Sequence, residues 1–184
     1  MKRADLQNNL AMTITLVMGA MLFTTLFMGY AIYRTSATVW PPLGLPRVSL
    51  TIPFLSSLVI ALSSWFIHKV KHLLAAENFV QANKNLNLTI ISGAGFLILQ
   101  CYLWFQMSHS GLYVGTSGIF GSVLYGFTWI HALHMVLGIG ALVYLKIILK
   151  PTTSNVVQKS INVERFWHFL GIVWIIMFLI LFVL

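Results

Sequence analysis

Five stretches free of Asp, Glu, Lys and Arg punctuate this chain, at residues 10–33, 49–67, 86–107, 118–145 and 166–184. A bilayer's hydrocarbon core is about 30 Å thick, and a helix needs roughly 20 apolar residues to cross it. Every backbone N–H and C=O in lipid must be satisfied within its own segment or in a closed barrel, so runs of this length predict transmembrane helices. They take up more than half of the 184 residues. Too little chain remains between them for a separate soluble domain, and the expected fold is all-α: a single polytopic bundle of five helices.

The charged residues then become an orientation signal. Hydrophobic residues make up 59% of the chain and charged ones 8%, which excludes a soluble globule or a disordered segment. The net charge of +8 comes from eleven Lys+Arg against three Asp+Glu. With the N-terminus placed in the cytoplasm, that side holds Lys2, Arg3, Lys69, Lys71, Lys84, Lys146, Lys150, Lys159 and Arg165, and the far side only Arg34 and Arg47. The positive-inside bias therefore places the N-terminus in the cytoplasm and the C-terminus outside. The cations are scattered in ones and twos rather than gathered on a groove-sized face, so no nucleic-acid partner is expected. The first run is longer than a signal-peptide core and no small-x-small cleavage site follows it, so it reads as a retained helix.

The connections have their own character. Trp40-Pro41-Pro42 and Pro46 predict a stiff extended loop at the outer interface. Residues 68–84 alternate Lys, His and Asn with Leu73, Leu74 and Phe79, and can prolong the neighbouring helices beyond the lipid. Residues 150–162, opening on Pro151, read as a plain connector, and 108–117 as an uncharged outer loop. Cys101, alone of its kind, reads as a small core residue without a disulfide or metal role, and Met18, Met21 and Met28 as gap-filling apolar residues. Ser56-Ser57 and Ser63-Ser64 recur after two helical turns, the pattern of a close helix contact. Gly121, Gly126, Gly138 and Gly140 either serve the same purpose or reflect the general frequency of glycine in membrane helices.

Polar groups in lipid are costly and mark candidate sites. His131 and His134 lie near the middle of the fourth run, and Glu164, Arg165 and His168 at the start of the fifth. Two histidines three apart on one helix cannot grip a haem from both faces, and His168 falls at another depth. No carboxylate or cysteine joins the pair to make a metal set. Buried imidazoles hydrogen-bonded to a neighbouring helix are the favoured reading. Arg165 with His168 either presents donors to a lipid phosphate or forms an ordinary charged helix start, and His68 with His72 reads as a solvated helix end. Neither a phosphate-binding G-x-x-x-x-G-K-S/T nor an H-E-x-x-H or G-x-S-x-G motif occurs, so the sequence offers no catalytic residue.

Taken in order, these residues resemble subunit III of the haem-copper terminal oxidases, the cytochrome c and quinol oxidase family. Trp40-Pro41-Pro42 is similar to the family's WPP loop, and Ser56-Ser57 to the serine pair of the next helix. Gly95-Phe96 with Gln100 comes next, then Gly121-Ser122, His131-Ala132-Leu133-His134 and Gly138, and finally Phe166-Trp167-His168-Phe169-Leu170 with Val173-Trp174. Three departures remove carboxylates that many members carry: Gly171 replaces an aspartate, and Leu103 and Ile161 stand at acidic positions. Glu164 is one turn out of register with the last of these.

The resemblance implies the short, five-helix bacterial form, an accessory subunit in the inner membrane. It would pack on catalytic subunit I beside other oxidase subunits, hold phospholipid and support oxygen reduction and proton pumping, with haem and copper carried by its partners. His131, His134, Trp167, His168, Trp174, Ser56 and Ser57 are the expected structural residues, and Arg165 and His168 the expected lipid-headgroup contact. The rivals are a haem b-binding anchor of a quinone-linked oxidoreductase, a small transporter, and the accessory subunit of a nitric oxide reductase.

Overall fold

The computed structural model describes residues 3–39, 49–115, 117–149 and 156–183. Among these residues the chain forms five long helices: α1 (Arg3–Ser36), α2 (Thr51–Ala75), α3 (Phe79–His109), α4 (Gly118–Ile147) and α5 (Val156–Phe178), the last passing into a π-helical turn at Leu179–Val183. Each is long and apolar enough to cross a membrane, and the protein is an all-α polytopic membrane protein. The loop of Trp40, Pro41, Pro42, Pro46 and Arg47 lies outside the described residues, as do Lys150 and Pro151.

The helices are longer than the uncharged runs because hydropathy measures the lipid-crossing portion, and polar flanks continue the same hydrogen-bond ladder. Thus α2 and α3 extend through residues 68–75 and 79–84 into a short turn, as their mixed apolar and polar pattern anticipates. Glu77 makes that turn in the left-handed region at φ 57°. Its N–H reaches the Leu74 carbonyl at 3.1 Å and Asn78 N–H the Leu73 carbonyl at 2.9 Å, a paired C-terminal cap. Asn78 then caps α3, its side-chain oxygen accepting from Gln81 N–H at 3.2 Å.

The second half of the expected 150–162 connector is instead the first two turns of α5, with Val156, Ser160 and Asn162 buried. Cys101 is also corrected: it is exposed on the outer surface of α3. Met18, Met21 and Met28 are exposed on α1. In lipid an apolar side chain gains little from facing the bundle, so hydrophobicity alone does not say which face is interior.

The α2 and α3 hairpin forms the most extensive helix pair, and α5 packs against both α2 and α4. At the far end, α3 and α4 are tied by Trp104 Nε1–H donating to Thr128 Oγ1 at 2.9 Å. Tyr125 Oη–H meets the Leu112 carbonyl at 3.0 Å. The first helix, α1, lies on the α4 and α5 side. Phe27 stacks on Phe127 with ring centroids 5.4 Å apart, Gln158 donates to Asn9 Oδ1 at 2.8 Å, and Tyr30 Oη–H reaches the Ile180 carbonyl at 3.2 Å. Most of its remaining apolar surface stays exposed.

Candidate functional site

The sequence-derived residues converge on α5. Helices α2 and α5 run antiparallel, so two turns forward on one meet two turns back on the other. Trp174 Nε1–H donates to Ser57 Oγ at 3.1 Å, and Trp167 Nε1–H donates to Ser63 Oγ at 3.0 Å. Both indoles are fully buried, and both serines are covered. Ser57 in turn donates to the Pro53 carbonyl at 2.9 Å and Ser63 to the Thr89 carbonyl at 3.3 Å. Ser56, also buried, is approached by Gln100 Nε2 at 3.4 Å, which adds α3 to the seam. Between the two tryptophans, Gly171 faces Ile60 and Ser64 at ordinary contact distance. Gly171 is therefore an ordinary contact between α5 and α2.

Trp167 is the pin of this arrangement. A Cβ placed on Gly93 of α3 would lie 2.7 Å from its Cη2 and 3.1 Å from its Cζ2. A Cβ on Gly138 of α4 would lie 3.1 Å from Cζ3 and 3.2 Å from Cε3. The six-membered ring thus sits in a notch made by two glycines on two helices, while its N–H is held by a third. Of the four glycines noted in the fourth run, Gly121 and Gly138 sit in tight contacts, whereas Gly126 and Gly140 face open space. Gly93 is not singled out by sequence, although the small-residue run Ser92-Gly93-Ala94-Gly95 carries the signal.

His131 is fully buried on α4. Its ring is surrounded by Trp174, Phe96 and Phe23, at centroid distances of 5.6, 5.8 and 6.2 Å. Neither ring nitrogen has a hydrogen-bond partner among the described residues, which differs from the interhelical bond expected for it. Aromatic faces rather than polar groups from α1, α3 and α5 enclose it. His134 is half-buried against Phe23 at 5.4 Å, and its Nδ1 meets the Ile130 carbonyl of its own helix at 2.7 Å.

The charged residues of α5 part company. Glu164 lies in the third turn of α5, not at a helix start, and is 5% exposed. Its Oε1 receives Lys71 Nζ at 3.0 Å, lies 2.9 Å from His68 Nδ1 and is approached by His168 Nε2 at 3.5 Å. His68 is therefore drawn into contact with a buried carboxylate, more than the solvated helix end expected of it. Arg165, the next residue along the helix, is exposed. His168, half-buried, turns its Nε2 toward Glu164.

Comparison with known proteins gives the family. A family model described as cytochrome c oxidase subunit III matches residues 4–184. Cytochrome c oxidase subunit 3 of Synechocystis sp. is 29% identical over 174 residues, covering 92% of this chain and 72% of the relative. The Thermostichus vulcanus protein of the same name is 30% identical over 181 residues, covering 95% and 86%. That of Pelomedusa subrufa is 29% identical over 187 residues, covering 95% and 69%. With its motif residues on the helices described and a match over nearly its whole length, the chain belongs to the cytochrome c oxidase subunit III family.

Proposed function

We propose that this protein is an accessory subunit of a bacterial haem-copper oxidase, without redox centres of its own, that packs against catalytic subunit I in the inner membrane. It supports oxygen reduction and proton pumping by stabilising the assembled complex and holding phospholipid at its surface. The N-terminus faces the cytoplasm and the C-terminus the outside, from the distribution of Lys and Arg. One observation carries the reading: the side chains on which the resemblance rests, Trp167, Trp174 and His131, are engaged in contacts between helices. A haem ligand needs an imidazole nitrogen with open space before it and a second axial ligand opposite. The rings of Phe23, Phe96 and Trp174 around His131 favour packing instead. Arg165, exposed on α5 beside half-buried Phe166, is the residue suited to a lipid phosphate.

Purification through a tag on this chain from native membranes, in mild detergent, tests the proposal. Co-purification of a haem-copper subunit I with oxygen reductase activity supports it. A subunit I that reduces nitric oxide instead of oxygen would move the chain to that complex. A stoichiometric b-type haem spectrum from the chain alone would overturn it.

A further inference from the structure

We propose that His68, Glu164 and His168 form a divalent-metal site of the zinc type that bridges α2 and α5. Three side chains at one end of the bundle define it, independently of the oxidase reading. One donor atom from each residue lies within 4.8 Å of those of the other two. His68 Nδ1 and His168 Nε2 are 2.9 and 3.5 Å from the carboxylate oxygen. Zinc holds nitrogen and oxygen at about 2.0–2.2 Å, so tetrahedral ligands stand about 3.4 Å apart, between those two distances. Glu164 and His168 are four residues apart on α5 and share a face. His68 arrives from α2, so no single segment contains the site.

Chemistry and access agree. Two imidazoles and one carboxylate are a three-residue zinc set, leaving the fourth position to water. The carboxylate is buried while the His68 side chain is 58% exposed and that of His168 37%, so an ion has a path from solvent to a fixed anionic ligand. Without an ion, Lys71 compensates the buried charge from 3.0 Å. Lys71 therefore competes with the metal for one oxygen, and its long stem and 30% exposure let the ammonium swing out to water. The ion and the ammonium are alternative partners of Glu164.

The competition makes the test specific. The complex carrying this chain is purified intact into lipid nanodiscs, and radiozinc binding is measured by equilibrium dialysis for wild type and variants. Wild type binds one zinc more per copy of the chain than Glu164→Gln or His168→Ala. Lys71→Met binds that ion at least about tenfold tighter, the scale on which neighbouring groups tune metal affinity. A misfolded protein does not gain affinity, so the Lys71 variant decides the matter even where the ligand variants fail to assemble. Equal zinc content in wild type and Glu164→Gln, or Lys71→Met binding no tighter than wild type, overturns the proposal.

Discussion

Gly93→Ala puts one methyl group into the notch that holds Trp167, and the local geometry sets its cost. The new carbon would lie 2.7 Å from Cη2, 3.1 Å from Cζ2 and 3.3 Å from Ile139 Cγ1, where carbon contacts are comfortable at about 3.5–4.0 Å. Trp167 has nowhere to retreat. The opposite edge of its ring abuts Gly138, and its N–H is fixed on Ser63 at 3.0 Å. Overpacking a filled interior costs about 1–3 kcal/mol. Alanine is also the better helix former by about 1 kcal/mol, which offsets part of this. Gly95→Ala, two residues along the same helix with open space around it, carries the propensity change alone. The difference between the two variants should therefore be about 1–3 kcal/mol, against Gly93→Ala. Unfolding in graded mixed micelles, read by pulse proteolysis, measures both. Trp167→Phe removes the clashing Cη2 and Cζ2, so Gly93→Ala should cost less in that background, with a coupling of about 0.5–3 kcal/mol. Equal stability of the Gly93 and Gly95 variants, or an undiminished Gly93→Ala cost in the Trp167→Phe background, would refute the notch as the locking element.

Other contacts give further tests. Trp174→Phe removes the donor to Ser57, and membrane hydrogen bonds of this kind average about 0.6 kcal/mol with an upper end near ~1.7; a double-mutant cycle with Ser57→Ala in the same assay should show coupling of that size, and none would contradict the bond. His131→Ala opens a void among Phe23, Phe96 and Trp174 and should destabilise by about 2–4 kcal/mol. Its expected readout is less assembled complex with unchanged turnover per assembled complex, and normal assembly with lost turnover would contradict a packing role. For orientation, in a Cys101→Ser background, Ser110→Cys should react with an impermeant maleimide in intact cells and Lys84→Cys only after permeabilisation. The reverse pattern would invert the topology.

The helices were legible because each uncharged run is a local property, and so was the spacing of the small residues and tryptophans, though not which helices they join. Trp167 and Trp174 lie seven apart and return to nearly one face, and the serine pairs Ser56-Ser57 and Ser63-Ser64 repeat at the same spacing. Boundaries were less legible. Residues 156–162 looked like a connector because their Gln, Lys, Ser and Asn are polar, yet their backbone continues α5 and Ser160 and Asn162 are buried within the bundle. Cys101 was misplaced because a small apolar side chain is equally at home toward lipid. The Glu164 cluster was not legible, because only His168 shares its segment with Glu164. Its other members lie 96 and 93 residues away, and no local pattern joins them.

By itself, then, the sequence determined that this chain crosses a membrane as five helices, and in what order its motifs fall. Lipid offers the backbone no hydrogen-bond partners, so each long apolar run must be a helix whatever its neighbours do. Only the tertiary structure decided that Trp167 wedges between Gly93 and Gly138, that His131 is ringed by aromatics, and that Glu164 is buried against Lys71 and His68. Helix association in lipid has no general hydrophobic drive and rests on close fit and individual polar contacts. Those depend on the register and facing of segments far apart in the chain, and they become definite only when the helices meet.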